Sequence, residues 1–148
     1  MESAPRGIRC SLPSRAINKL LLYISQLKCE FFIPWYFRIT RKETVLPVSA
    51  VDYCATSQMI REMACDSIFE LVLHMYPPDA AYGQFESYED FAKSSCVCCL
   101  IYYDCGWLDI YVKGDSLRRD IQNHLLLLSA EDMEVLTETN DGREALTL

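Results

Sequence analysis

The sequence predicts an α+β domain: a largely antiparallel sheet of six to eight strands, covered by two main helices, 14–27 and 116–128, and by shorter ones. Four observations carry this. Cys96 to Tyr103 is an almost unbroken apolar run, as expected of a strand buried on both faces. Trp107 to Lys113 alternates instead: Trp107, Asp109, Tyr111 and Lys113 point one way, and Leu108, Ile110 and Val112 point inward. Asp104-Cys105-Gly106 between them reads as a hairpin turn in which Gly106 supplies a positive φ. Residues 17–27 and 117–128, by contrast, repeat their apolar positions at helical spacing.

The remaining elements follow in order. Gly7 to Leu12 alternates Ile8, Cys10 and Leu12 against Arg9 and Ser11, a short strand. Pro13-Ser14 opens a helix whose Ile17, Leu20, Leu21, Ile24 and Leu27 share a face. The aromatic segment from Cys29 to Thr40 is β-like, and Pro34, which cannot donate to a ladder, sets the strand at 35–40. Arg41-Lys42 turns the chain, and Glu43 to Leu46 returns as its partner. Thr56 or Ser57 caps a helix that turns Met59, Ile60 and Met63 inward. Ser67 to Met75 reads as a buried strand, with a helix over 66–75 as the competing assignment, and Pro77-Pro78 stops it. Ser87-Tyr-Glu-Asp90 has the form of a capping box and starts a short helix. In the last helix Leu117, Ile121, His124, Leu125 and Leu128 form one stripe. Met133 to Thr139 alternates, Asn140-Asp141-Gly142 signals a turn, and Arg143 to Leu148 is expected to close a final hairpin.

A chain of 148 residues suits one domain, expected over 7–148 with a loose end at 1–6. Seventeen aromatic residues argue against disorder. No run reaches the roughly 18 apolar residues of a membrane span, and the first ten residues hold no apolar core of a secretory signal. A cytoplasmic location is therefore expected, with the eight cysteines as buried thiols and not a disulfide framework. The net charge of −7 is unevenly spread: residues 1–42 carry +6 and residues 43–148 carry −13. Overall acidity argues against generic nucleic-acid binding.

Catalytic and metal residues are expected to be absent, and no cofactor is implied. Cys96 and Cys99 have C-x-x-C spacing, but they open a buried strand, without the second pair that a zinc site needs. Cys96 and Cys98 would share one face and Cys99 the other, all as packing, while Cys105 in its turn would be the exposed thiol. His74 and His124 each sit among apolar residues and read as core histidines; a Cys–His hydrolase would need a spatial pairing that sequence does not reveal. No phosphate-binding, dinucleotide-binding, zinc-protease or nucleophile-elbow motif occurs.

The second half resembles a family of small proteins from spore-forming Gram-positive bacteria whose domain has no assigned function. The resembling residues are Ser87-Tyr-Glu-Asp-Phe91, Cys96 with the strand to Asp104, Ile110-Tyr-Val-Lys113 and Thr137-Glu-Thr-Asn-Asp-Gly-Arg143. Gly7-Ile8 and Met75-Tyr-Pro77 fit the same pattern. The resemblance implies a compact α/β domain of bacterial or phage origin and no catalytic residue.

Two functions follow as expectations. The first is a small acidic, non-catalytic interaction protein (a binder, inhibitor or immunity protein) with a protein partner docking on Trp107, Asp109, Tyr111 and Lys113. A solvated or helix-covered sheet face is the plainer reading of those residues. The second is a small anionic ligand, or a minor enzyme activity, in a pocket near the basic segment formed by Arg9, Arg38 and Arg41.

Overall fold

A computed structural model describes residues 4–13, 15–33, 37–41, 44–45, 53–55, 57–65, 67–80, 83, 85–104 and 106–146. Its strands are β1 (Gly7–Ser11), β2 (Glu30–Ile33), β3 (Phe37–Arg41), β4 (Thr44–Val45), β5 (Tyr53–Ala55), β6 (Ser67–Tyr76), β7 (Cys98–Tyr103), β8 (Trp107–Val112) and β9 (Glu131–Leu136). Its helices are α1 (Ala16–Ile24), α2 (Ser57–Met63), α3 (Tyr88–Lys93) and α4 (Asp115–Leu127). The α+β class is as expected.

All pairings are antiparallel, in the order β4-β3-β6-β7-β8-β1-β9. The ten-residue β6 is long enough to take two neighbours on one edge. Its first half pairs with β3 and its second with β2, which also holds β5. The aromatic segment expected as one strand at 35–40 is thus two strands, β2 and β3, and residues 34–36 lie outside the described ones. The competing helix over 66–75 is not formed.

Alternation along each strand divides the core in two. Ile8, Cys10, Leu73, Leu100, Leu108 and Ile110 face the helices, packing on Ile17, Leu20, Leu21 and Ile24 of α1, Ile60 of α2, and Ile121 and Leu125 of α4. Each such side chain contributes about 1.5–3 kcal/mol by leaving water. Phe32, Val72, Tyr76, Cys99, Ile101 and Tyr111 face the other way, under Phe85, Phe91 of α3 and Leu146. Both faces of the central strands are therefore covered.

The register of β6 is broken once. Arg38 pairs with Glu70 and Ile39 with Ile68, so Phe69 has no opposite residue. This β-bulge keeps Ile68 on the helical face with Leu71 and leaves Phe69 partly exposed. A second irregularity separates Arg9↔Glu134 from Ser11↔Glu131, where Asp132 has φ 52°.

The final hairpin is not formed. Residues 143–146 contain no strand, and Leu146 N–H donates to the Glu86 carbonyl at 2.7 Å. Side chains take over the expected turn. Asn140 Oδ1 accepts from Thr137 N–H at 2.6 Å, and its Nδ2 donates to the Val135 carbonyl. Asp141 Oδ1 accepts from Arg143 N–H and from the Tyr111 hydroxyl at 2.9 Å, which draws the chain back across the sheet face.

Gly7 is required by close approach and not by a turn. A Cβ there would overlap the Ile110 carbonyl oxygen and stand 2.8 Å from Tyr111 Cα. In the β7–β8 hairpin Asp104 carries a left-handed φ of 50°, and Gly106 N–H donates to the Tyr103 carbonyl.

Candidate functional site

Two places concentrate polar chemistry. The first is a charged ladder buried on the face opposite the large helices. Asp109, in the middle of β8, is wholly buried. Its register partner on β1 is Arg9, whose guanidinium forks onto it with Nε–Oδ1 2.7 Å and Nη2–Oδ2 2.9 Å. Arg143 reaches the same carboxylate at 2.9 Å, and the Tyr103 hydroxyl donates to it at 3.3 Å. Arg143 also lies over the Tyr103 ring, 4.8 Å from its centroid. Asp141, whose carboxylate is covered, continues the ladder, accepting from Tyr111 and pairing with Arg6, which lies 4.2 Å over the Tyr88 ring.

Electrostatics follow from this packing. The Asp109 hydrogen bond holds the Arg9 guanidinium firmly charged. Burial works against the charge on Arg143, but Asp109 outweighs it and its pKa rises. Burial, with Asp109 nearby, makes the Tyr103 phenol harder to ionise, and burial with Asp141 does the same for Tyr111. The ladder fastens β1, β8 and the carboxy-terminal segment together, with each carboxylate engaged. A charged residue inside an otherwise apolar strand demands a buried counter-charge, which is the sequence signal for Asp109. Its partner Arg9, 100 residues away, has no such signal.

This placement corrects the expected contact face. Asp109 and Tyr111 are fully buried and cannot be presented to a partner; Trp107 and Lys113 are half-buried. Lys113 Nζ donates to the Ser94 carbonyl at 2.5 Å and lies over Phe91. Of the alternative arginine site, Arg38 and Arg41 lie on β3 and Arg9 on β1, with β6, β7 and β8 between those strands, which sets the two strands about 19 Å apart at the usual strand spacing.

The buried thiols, Cys10, Cys96, Cys98 and Cys99, are packing. Burial pushes Cys10 up to about 12 and Cys96 up to about 11, and Cys98 and Cys99 rise well above the ordinary thiol range. Thiols held protonated are poor nucleophiles and poor metal ligands. Cys98 faces the helices, whereas Cys96 and Cys99 face the other way. The expected alternation fails because Cys96 precedes the strand, with Sγ donating to the Met75 and Cys98 carbonyls. Cys105 lies outside the described residues; Cys65 is an exposed thiol that sequence reasoning missed.

His74 stands opposite Cys99 across β6 and β7. The Cys–His proximity that sequence could not test therefore exists. It is enclosed, however, with His74 stacked 4.3 Å from Phe85 and Cys99 fully buried. His124 stacks on Tyr23 at 4.0 Å, and burial lowers its pKa. Among the described residues no group of three or more His, Cys, Asp or Glu could hold a metal ion, and no helix is long and apolar enough to cross a membrane.

The second place is a hollow of about 710 Å³ where α1 begins. Its rim includes Arg15, which precedes α1, and Lys19 on α1, together with Cys65, Ser67 and the bulged Phe69; Ile17, Ile68 and Tyr102 form its floor. Asn18, also lining it, ties α1 to the end of α2 by donating to the Ala64 carbonyl at 2.9 Å. Arg15 has a left-handed φ of 66° at the helix start. Lys19 also lines a smaller hollow of about 330 Å³ with Leu127 and Leu128, and Leu127 is 81% exposed. A hollow of the larger size falls in the range of small-ligand sites.

Among known proteins the chain is similar to the uncharacterized protein YncE of Bacillus subtilis (strain 168), 30% identical over 76 residues. The match covers 51% of this chain and 50% of YncE, so the chain spans about half the length of that relative. No solved structure matches. The family model described as "Protein of unknown function (DUF2691)" matches residues 6–147, from the arginine that begins the buried ladder to beyond the segment that closes it, and the chain belongs to that family.

Proposed function

We propose that this chain is a non-catalytic binding protein and that it binds at the end of the molecule where α1 begins. The observation that supports this is the pair of hollows on either side of Lys19. They bring two cations, the partly exposed Phe69 and the highly exposed Leu127 to the surface of a chain whose net charge is −7. Exposed apolar side chains beside charges are typical of recognition surfaces. The groups best suited to chemistry are occupied elsewhere: Asp109 by two arginines, and the buried thiols by their packing. The partner would present carboxylate or other anionic groups next to apolar ones. A reducing, cytoplasmic setting fits the six free thiols among the described residues, and the YncE relationship fits a bacterial source.

Native mass spectrometry after incubation in Bacillus subtilis extract tests the proposal. The wild-type chain should retain a non-covalent companion, protein or small molecule, that Lys19→Glu loses while remaining folded. Equal retention by both, or none by the wild type, would refute it.

A further inference from the structure

We propose that the hollow between α1, Ala64 and Cys65 after α2, and the start of β6 binds a small organic anion with a flat aromatic body; this rests on the reading of that end as the binding face. Among the described residues that line it, the two charged ones, Arg15 and Lys19, are both cations. Four other described arginines are matched with carboxylates: Arg6 with Asp141, Arg9 and Arg143 with Asp109, Arg118 with Asp115; the exposed Arg61 and Arg119 are not, and neither lines a hollow. Neither Arg15 nor Lys19 has such a partner among the described residues. Two cations lining one hollow, Arg15 just before α1 and Lys19 on its first turn, are a site for a carboxylate, sulfonate or phosphate group.

The aromatic half of the ligand is argued from Phe69. In a regular strand Phe69 would continue the helical-face alternation of Leu71, Leu73 and Met75. The bulge gives that place to Ile68 and turns Phe69 out to the rim, 37% exposed. Bulges recur where a sheet re-aims a side chain toward a site. A phenyl face on the rim, with Ile17, Ile68 and Tyr102 below, offers a planar ligand a stacking partner and an apolar floor. A hollow of about 710 Å³ accommodates a molecule of two or three rings.

Fluorescence titration with 1-anilinonaphthalene-8-sulfonate, its uncharged analogue N-phenyl-1-naphthylamine and inorganic sulfate tests this on the folded chain at low salt. The sulfonate should saturate one site and bind at least tenfold more tightly than the uncharged analogue. Lys19→Glu should weaken it at least tenfold and Phe69→Ala severalfold, while Arg119→Glu, on the exposed face of α4, should leave it unchanged. Lys19→Gln, which removes the charge without reversing it and leaves a polar side chain one atom shorter, should fall between. Equal affinity for the charged and uncharged dyes would overturn the proposal, and so would equal effects of Lys19→Glu and Arg119→Glu. Full competition by sulfate with no effect of Phe69→Ala would overturn its aromatic half. If no dye saturates while the companion seen by native mass spectrometry still depends on Lys19, the ligand class is wrong and the binding face stands. If both fail, both are wrong.

Discussion

Replacing Asp109 by Asn keeps the shape of the side chain and removes its charge. The native carboxylate is fully buried and receives two bonds from Arg9, one from Arg143 and one from Tyr103. An amide offers one acceptor oxygen and turns its NH2 toward a guanidinium, so at least one arginine loses its partner. Breaking a buried ion pair from one side costs about 3–5 kcal/mol. The Arg9 and Arg143 side chains are 23% and 17% exposed, so each recovers some hydration. The lower end, about 3 kcal/mol, is therefore expected. For a chain of this size that corresponds to a fall in Tm of about 6–12 °C, and in urea to a lower midpoint with an unchanged slope. Arg143→Met alone should cost about 1.5–3 kcal/mol. The double variant should cost less than the sum, because removing one arginine relieves part of the charge left by the other change. A loss below about 1 kcal/mol for Asp109→Asn, typical of an exposed pair, would show that the ladder does not fasten the sheet.

Three further outcomes are expected. Gly7→Ala should destabilise by about 3 kcal/mol in denaturant unfolding, since its Cβ meets the backbone of β8; Gly142→Ala, with nothing within 4 Å, should stay within about 0.5 kcal/mol. In timed iodoacetamide labelling read by peptide mass, Cys65 should react in the native state, and Cys10, Cys96, Cys98 and Cys99 only after unfolding; native labelling of Cys98 at the rate of Cys65 would contradict their burial. Burial lowers the His124 pKa, so the folded state resists its protonation. Its contribution is present above the unfolded value of about 6.5 and is lost as pH falls through the lower folded value. The wild type should therefore lose more stability than His124→Gln between about pH 7 and pH 5, and parallel pH profiles would refute this.

The fold was largely legible because its signals are local. Alternation in β8, the apolar run of β7, the Ser87 cap and the stripes of α1 and α4 each lie within a few residues. Ser87 Oγ does accept from Asp90 N–H, at 3.1 Å. What could not be read depends on neighbours distant in sequence. The phase of β8 was right, but whether Asp109 and Tyr111 met water depended on a segment 30 residues later crossing over them. That crossing reads locally as a hairpin, because Asn140-Asp141-Gly142 is ordinary turn chemistry. The hollow was hidden for a similar reason. A bulge leaves no pattern in one strand, so Phe69 reads as one more apolar residue of β6. Arg15 and Lys19 read as the solvated side of a helix, and only the packing of α1 against α2 and β6 places them beside Phe69.

Amide and indole NMR shifts of the isotope-labelled chain, followed while 1-anilinonaphthalene-8-sulfonate is added, locate the binding face directly. Shifts should concentrate at Arg15–Lys19 and at Cys65–Phe69, with the Trp107 indole unmoved. Shifts centred on Trp107–Lys113, or spread evenly over the sheet, would contradict the assignment of recognition to the cationic hollow.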